Sequence, residues 1–110
     1  MSLFRRRINL IPLTKINLGE FDINEPGGYC NVKTFRLVIK AGRDLHVRVS
    51  SDKPVDLAVS DEQGRCRSFK EGVIEGELDP IPFPEKEVVA LVLGVFRGDK
   101  AELQVEAWLE

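Results

Sequence analysis

The residues that could do covalent or metal chemistry are few in this sequence, and none is spaced for it. His46 is the single histidine among 110 residues, and the two cysteines, Cys30 and Cys66, stand far apart. A serine or cysteine nucleophile would need His46 as its base, and zinc sites usually gather several His or Cys ligands at short spacing. We therefore predict that the protein is not an enzyme, has no catalytic or metal-binding residue, needs no cofactor and keeps both cysteines as free thiols.

Three cationic or titratable side chains fall on outward positions of predicted strands: Arg36, His46 and Arg48. Pairing Leu37 with Val47 would set Arg36 opposite Arg48, which is unfavourable for two like charges. Either these strands lie in different sheets, or the two arginines hold an anion between them. Both alternatives stay open here, and we predict the three residues as contacts for an anion or a small ligand.

The C-terminal region predicts a β-hairpin. Two runs of strand-forming residues, Val88–Phe96 and Ala101–Leu109, flank Arg97-Gly98-Asp99, a short segment with glycine where a tight turn needs it. If Val95 faces Ala101, every inward residue of one strand meets an apolar residue of the other. The sequence therefore predicts that these two strands are neighbours in a sheet.

This predicted hairpin carries an apolar stripe on its outer face. In the hairpin register, Trp108 falls opposite Val88 and close to Val92. The strand that carries these two valines is apolar on both faces. Tryptophan is enriched among the residues that dominate binding energy at interfaces. We predict that Val88, Val92 and Trp108 form an interface that either a partner or the N-terminal segment covers.

The middle of the chain alternates apolar and polar residues with a period of two. Thr34–Ile39, Leu45–Ser50 and Val55–Ser60 show this pattern, with turn residues at Ser51–Pro54 and at Asp61–Arg65. Several short strands at such regular spacing are typical of β-sandwiches and barrels. Pairing the second and third of these strands would set Arg48 opposite Asp56.

These patterns predict one all-β domain over residues 1–110, a jelly-roll-like antiparallel β-sandwich of about eight strands with little or no helix. The residues predicted to form its core share an inward position on the strands: Phe35, Leu37, Val47, Val49, Leu57, Val59, Leu91, Leu93, Leu103 and Val105.

Composition excludes several classes of protein. The formal net charge is -2, so no bulk attraction to nucleic acid follows. No run approaches the roughly 18 apolar residues of a membrane helix. Arg5-Arg6-Arg7 is basic, but the apolar stretch after it is too short for a secretory signal. We expect a cytoplasmic protein that binds no nucleic acid and does not insert into a membrane.

The passage Leu45–Gly64 resembles the middle of jelly-roll sandwich modules. It joins Val-rich alternating strands through Ser51–Leu57 and ends in the Asp61-Glu62-Gln63-Gly64 turn. It looks most like Golgi-dynamics-type and pre-peptidase C-terminal-type domains, in which a Val-Asp-Leu-x-Val strand precedes a turn ending in glycine. The resemblance implies a non-catalytic binding or adaptor unit and carries over no functional residue.

Two functions follow as hypotheses. The first is a non-enzymatic protein–protein interaction or self-assembly module, either a homo-oligomer or a unit that binds another protein. The second is a small-ligand or glycan-binding β-sandwich that uses its outward cationic residues.

Overall fold

The alternating segments form strands throughout the chain. The computed structural model describes residues 6–19, 32–95 and 99–110, and no helix occurs among them. They form seven strands of an antiparallel sheet: β1 (Ile8–Leu18), β2 (Val32–Ile39), β3 (Arg43–Asp61), β4 (Cys66–Glu77), β5 (Ile81–Phe83), β6 (Glu87–Gly94) and β7 (Ala101–Leu109). The predicted all-β class is confirmed, with seven strands in the described residues instead of about eight. These strands form one curled sheet, so the predicted two-sheet jelly-roll sandwich is not confirmed.

One long strand, β3, replaces two of the predicted strands. The turn expected at Ser51–Pro54 does not reverse the chain, and β3 continues through it for 19 residues. Its pairing with β4 shifts register between Ser50 and Val55, so the irregularity is a bulge within a strand. The predicted pairing of Arg48 with Asp56 is therefore wrong, because both residues lie on β3.

The predicted C-terminal hairpin is also wrong. β7 pairs with the first part of β3, Leu45–Ser51, whereas β6 pairs with its last part, Asp56–Asp61. Because β4 runs along β3 opposite both of them, β6 and β7 follow one another along the same edge of β3. Both strands are antiparallel to β3, so β6 and β7 run in the same direction and do not pair with each other. Of the predicted loop, Arg97-Gly98 lies outside the described residues and Asp99 precedes β7.

The outer strands complete a curled sheet. β1 pairs with β7 and β2 pairs with β6, while β5 extends the β4 edge beside the start of β3. Arg36 on β2 lies opposite Ala90 on β6, so it does not face Arg48. The alternative that placed these strands in different sheets is wrong, because β2 and β3 belong to one sheet; β6 lies between them, so the two arginines are not paired.

The core lies on the inner side of the curled sheet. Every predicted core residue is buried except Phe35, which is half-buried and packs against the others. Alternation in sequence identifies this inner side correctly because successive side chains in a strand point to opposite faces. The bulge in β3 does not change which alternate residues point inward: Val49 before it and Val55 after it are both buried.

The turn between β3 and β4 confirms the turn predicted at Asp61–Arg65. The N–H of Gly64 donates to the Asp61 carbonyl at 3.0 Å, and Gly64 has a φ of 77°, a conformation that glycine adopts without strain. The Asp61 carboxylate accepts the N–H groups of Gln63 and Arg65 at 3.0 and 2.9 Å and the Arg65 Nε at 2.9 Å. Burial raises the pKa of Asp61, but these hydrogen bonds and the Arg65 charge outweigh burial and leave the pKa below its ordinary value.

We expect Asp61→Asn to lower the thermal stability at pH 7 and to flatten its loss in acid. A carboxyl with a lowered native pKa stabilises the fold above its unfolded pKa of about 4, and this contribution is lost as the pH falls through the native value. Melting temperatures between pH 7 and pH 2.5 measure the effect. Glu62→Gln is the matched control in the same turn, and an Asp61→Asn curve parallel to wild type would contradict the account.

Candidate binding surfaces

Potential functional side chains lie on the outer side of the sheet, because apolar side chains fill nearly all of the inner side. On β7, the outward residue Trp108 pairs with Asn9 of β1 on one side and with His46 of β3 on the other. Its side chain is nevertheless only 4% exposed. Neighbouring polar side chains must therefore cover an aromatic ring on the outer surface.

Three side chains provide this cover. The His46 ring stacks on Trp108 with a centroid separation of 5.1 Å and an interplanar angle of 7°. The Arg7 and Arg48 guanidinium carbons lie 3.9 and 5.3 Å from the Trp108 ring centroid, within range of cation–π attraction. The Trp108 Nε1 donates to Glu110 at 3.3 Å, which satisfies its polar atom.

Carboxylates neutralise both arginines. The Arg48 Nε donates to Glu77 at 2.7 Å and its Nη1 donates to Glu106 at 3.1 Å, while Arg7 donates to the other Glu106 oxygen at 3.1 Å. The hydrogen bond to Glu77 is the main cause that raises the pKa of Arg48; desolvation opposes it, and the charges of Glu77 and Glu106 add to it. We call Arg7, His46, Arg48, Glu77, Glu106, Trp108 and Glu110 the Trp108 cluster.

The structure brings together only two of the three predicted ligand contacts. His46 and Arg48 share the Trp108 cluster, whereas Arg36 lies on β2 opposite Ala90. His46 Nε2 also lies 3.6 Å from a Glu110 oxygen, so His46 and Arg48 both have acidic neighbours. The arrangement seals the tryptophan; it does not present an open cationic site for an anion.

The predicted interface stripe is wrong as a single surface. Val88 precedes Val89, which pairs with Asp61 at the end of β3, whereas Trp108 pairs with His46 near its start. Trp108 and the two valines therefore lie at opposite ends of the long strand. Arg7 and β1 cover Trp108, which corresponds to the alternative in which the N-terminal segment covers the tryptophan.

A different surface contains Val88 and Val92. The register places Thr34, Val92, Ala58 and Phe69 in one row across β2, β6, β3 and β4. Neighbouring rows add further apolar side chains on both sides of this row. We call the whole set the apolar face: Val32, Val38, Ala58, Phe69, Val88, Ala90 and Val92.

Large side chains of this face are open to solvent. Val32, Val38 and Phe69 are 50, 41 and 56% exposed. The strand registers also place two charged residues among them, Arg36 in the row of Ala90 and Asp56 in the row of Gly94. The outer side of the sheet thus has a sealed, ion-paired region at one end and an uncovered apolar region at the other.

Sequence reasoning missed much of the apolar face. Phe69 lies in a segment without steady alternation, because the pairing of β4 with β3 shifts register three times. The apolar outward residues of β6 were visible in the sequence as a strand that is apolar on both sides. The sequence did not show which strands lie beside β6, and the side chains of those strands complete the apolar face.

We expect Trp108→Ala to lower the free energy of unfolding by about 3 kcal/mol, since truncating a buried aromatic residue leaves a cavity. Gln104→Ala, at an exposed outward position of the same strand, should change it by less than about 0.5 kcal/mol. Urea denaturation measures both values. A cost near that of Gln104→Ala, together with a smaller native mass for Trp108→Ala, would instead assign Trp108 to an interface.

No protein-family model matches the sequence, and no curated protein matches it. Among solved structures, the chain is similar to the crystal structure of Aeromonas hydrophila PliG, a periplasmic lysozyme inhibitor of g-type lysozyme. The TM-score is 0.65 at 13% sequence identity, and the match covers 93% of this chain and 88% of that chain. A likeness at this identity is evidence for the shared fold.

The comparison bears on one further expectation. The prediction of a cytoplasmic protein is contradicted, because the protein with the similar fold is periplasmic. Within residues 6–19, 32–95 and 99–110, no helix has the length and apolar character needed to cross a membrane. The chain is therefore an all-β domain that shares its fold with a periplasmic inhibitor.

Proposed function

We propose that the protein is a non-enzymatic module that binds another protein through the apolar face. The observation that carries the proposal is the exposure of Val32, Val38 and Phe69 around the half-buried residues of β6. A folded domain gains free energy by removing such side chains from water, and here no described segment of the chain covers them. A protein partner would supply the missing cover.

The size and composition of the face suit a protein partner. Strands about 4.8 Å apart and rows about 6.8 Å apart give four strands and three to four rows an area of a few hundred Å². Exposed apolar patches of this size are often functional in monomeric proteins. Phe69 supplies an aromatic anchor, and the small residues Ala58 and Ala90 leave a flat surface against which a partner can pack.

The chemistry of the Trp108 cluster gives less support to the alternative of a small-ligand or glycan-binding module. Sugar sites usually expose an aromatic ring, whereas Trp108 lies beneath Arg7, His46 and Arg48. The carboxylates of Glu77 and Glu106 already occupy the guanidinium donors. Binding an anion there would require breaking these ion pairs first.

The similar fold of a lysozyme inhibitor supports both a protein partner and an exported location. PliG is a periplasmic inhibitor of g-type lysozyme, which is itself a protein. We propose by analogy that this chain works outside the cytoplasm and that its partner is an extracytoplasmic protein. A g-type lysozyme is the first candidate to test.

A photo-crosslinking amino acid at position 69 tests the proposal in the cells that make the protein. We expect substitution at Phe69 to give a discrete covalent adduct with a partner protein, identified by mass spectrometry. Leu13 is the matched control, because it is 63% exposed and lies on β1, away from the apolar face. Purified g-type lysozyme should give the same adduct if it is the partner, and equal or absent adducts at positions 69 and 13 would overturn the proposal.

A further inference from the structure

We infer that a second copy of this chain docks on the apolar face, forming a two-fold dimer in which Arg36 of each copy meets Asp56 of the other. This inference rests on the proposed function, since it takes the apolar face as a contact surface; the second copy occupies that face when no other protein is bound to it. The basis is the position of two oppositely charged residues, Arg36 and Asp56, which the strand registers place within the rows of that face.

The two charges lie on opposite sides of Val92. Arg36 is opposite Ala90, two residues before Val92 on β6, and Asp56 is opposite Gly94, two residues after it. Arg36 is one strand away on β2, and Asp56 is one strand away in the other direction on β3. From strand spacing and rise, the diagonal between the two residues is roughly 17 Å, with Val92 near its middle.

This placement makes the surface complementary to itself. Consider two identical faces related by a two-fold axis that lies in the interface. A residue on one side of the axis then faces the residue of the second copy that lies equally far on the other side of the axis within its own face. An axis that passes over Val92 at right angles to the diagonal brings Arg36 of each copy against Asp56 of the other, so the contact forms twice. The same rotation sets the apolar residues of the two copies against one another.

The local structure holds the acidic partner in place. Asp56 Oδ1 accepts the backbone N–H of Gly72 at 3.0 Å, which fixes the carboxylate beside the β3–β4 pair. Arg36 is exposed on β2, the last strand in the order of the sheet. A fixed carboxylate and a long, exposed guanidinium side chain are suited to form an ion pair between the two copies.

The face predicts a weak dimer. Stable complexes bury about 800 Å² on each partner, whereas the apolar face measures a few hundred Å². Association should therefore depend on concentration, with monomer dominating in dilute solution. The charged pairs then determine orientation, because like charges at such positions oppose association.

Sedimentation equilibrium on charge-exchanged variants tests the inference. We expect Arg36→Asp alone and Asp56→Arg alone each to weaken self-association by at least about tenfold, since each creates two like-charge contacts. An equimolar mixture of the two variants should associate about as well as wild type, because both contacts in the mixed dimer are then attractive. Gln104→Ala, outside the face, should leave association unchanged.

A second pair keeps the test valid if Asp56→Arg fails to fold. Asp56→Asn keeps an oxygen for the Gly72 N–H, and its mixture with Arg36→Asp should associate more strongly than either variant alone. Wild type that stays monomeric at every concentration, or mixtures no stronger than their components, would overturn the inference. An adduct with a different protein at position 69 would still support the proposed function in that case.

Discussion

The pairing of one long strand determines the arrangement of the rest of this protein. β3 takes β4 and β5 along one edge and β7 followed by β6 along the other, so most of the sheet is hydrogen-bonded to it directly. Because the bulge after Ser50 preserves the alternation of side chains, the same side of β3 is buried before the bulge, from Leu45 to Val49, and after it, from Val55 to Asp61. The opposite side forms a continuous outer surface.

The two ends of that outer surface differ in whether their apolar side chains are covered from water. Near the start of β3, Arg7, His46 and Arg48 remove a large aromatic residue from water. Glu77 and Glu106 pair with the two arginines, and Glu110 lies beside His46. Near the end of β3, apolar side chains remain exposed without such cover. This contrast supports the proposal that the apolar face is the contact surface and that the Trp108 cluster has a structural role.

Sequence alternation predicted which side chains point inward, but it did not predict which strands are neighbours. The assignment of Leu91 and Leu103 to the core is correct although β6 and β7 do not pair with each other. A period of two fixes the face of each residue, whereas strand order depends on long-range contacts that leave no local signal. Because the predicted pairing of β6 with β7 was wrong, Trp108 was placed opposite Val88, whereas it pairs with Asn9 and His46.

The turn-forming residues predicted at Ser51–Pro54 make local hydrogen bonds, but they lie in a bulge of β3 and do not reverse the chain. Ser51 Oγ donates to the Lys53 carbonyl at 2.6 Å and accepts the Lys53 N–H at 3.3 Å, so the local hydrogen bonds typical of a turn form inside a bulged strand. At Asp61–Arg65, similar residues reverse the chain, because Gly64 adopts a positive φ there. Only the second segment contains a glycine, and that difference is readable in the sequence.

We propose that the apolar face, and not the Trp108 cluster, contacts other molecules, including a second copy of the chain. Backbone amide chemical shifts, recorded from dilute to concentrated protein, locate the surface through which the copies meet. We expect concentration-dependent shifts at Ala58, Phe69 and Val88–Gly94, with the amides of Glu102–Trp108 unchanged. Shifts centred on Arg48, Glu106 and Trp108 would contradict the proposal.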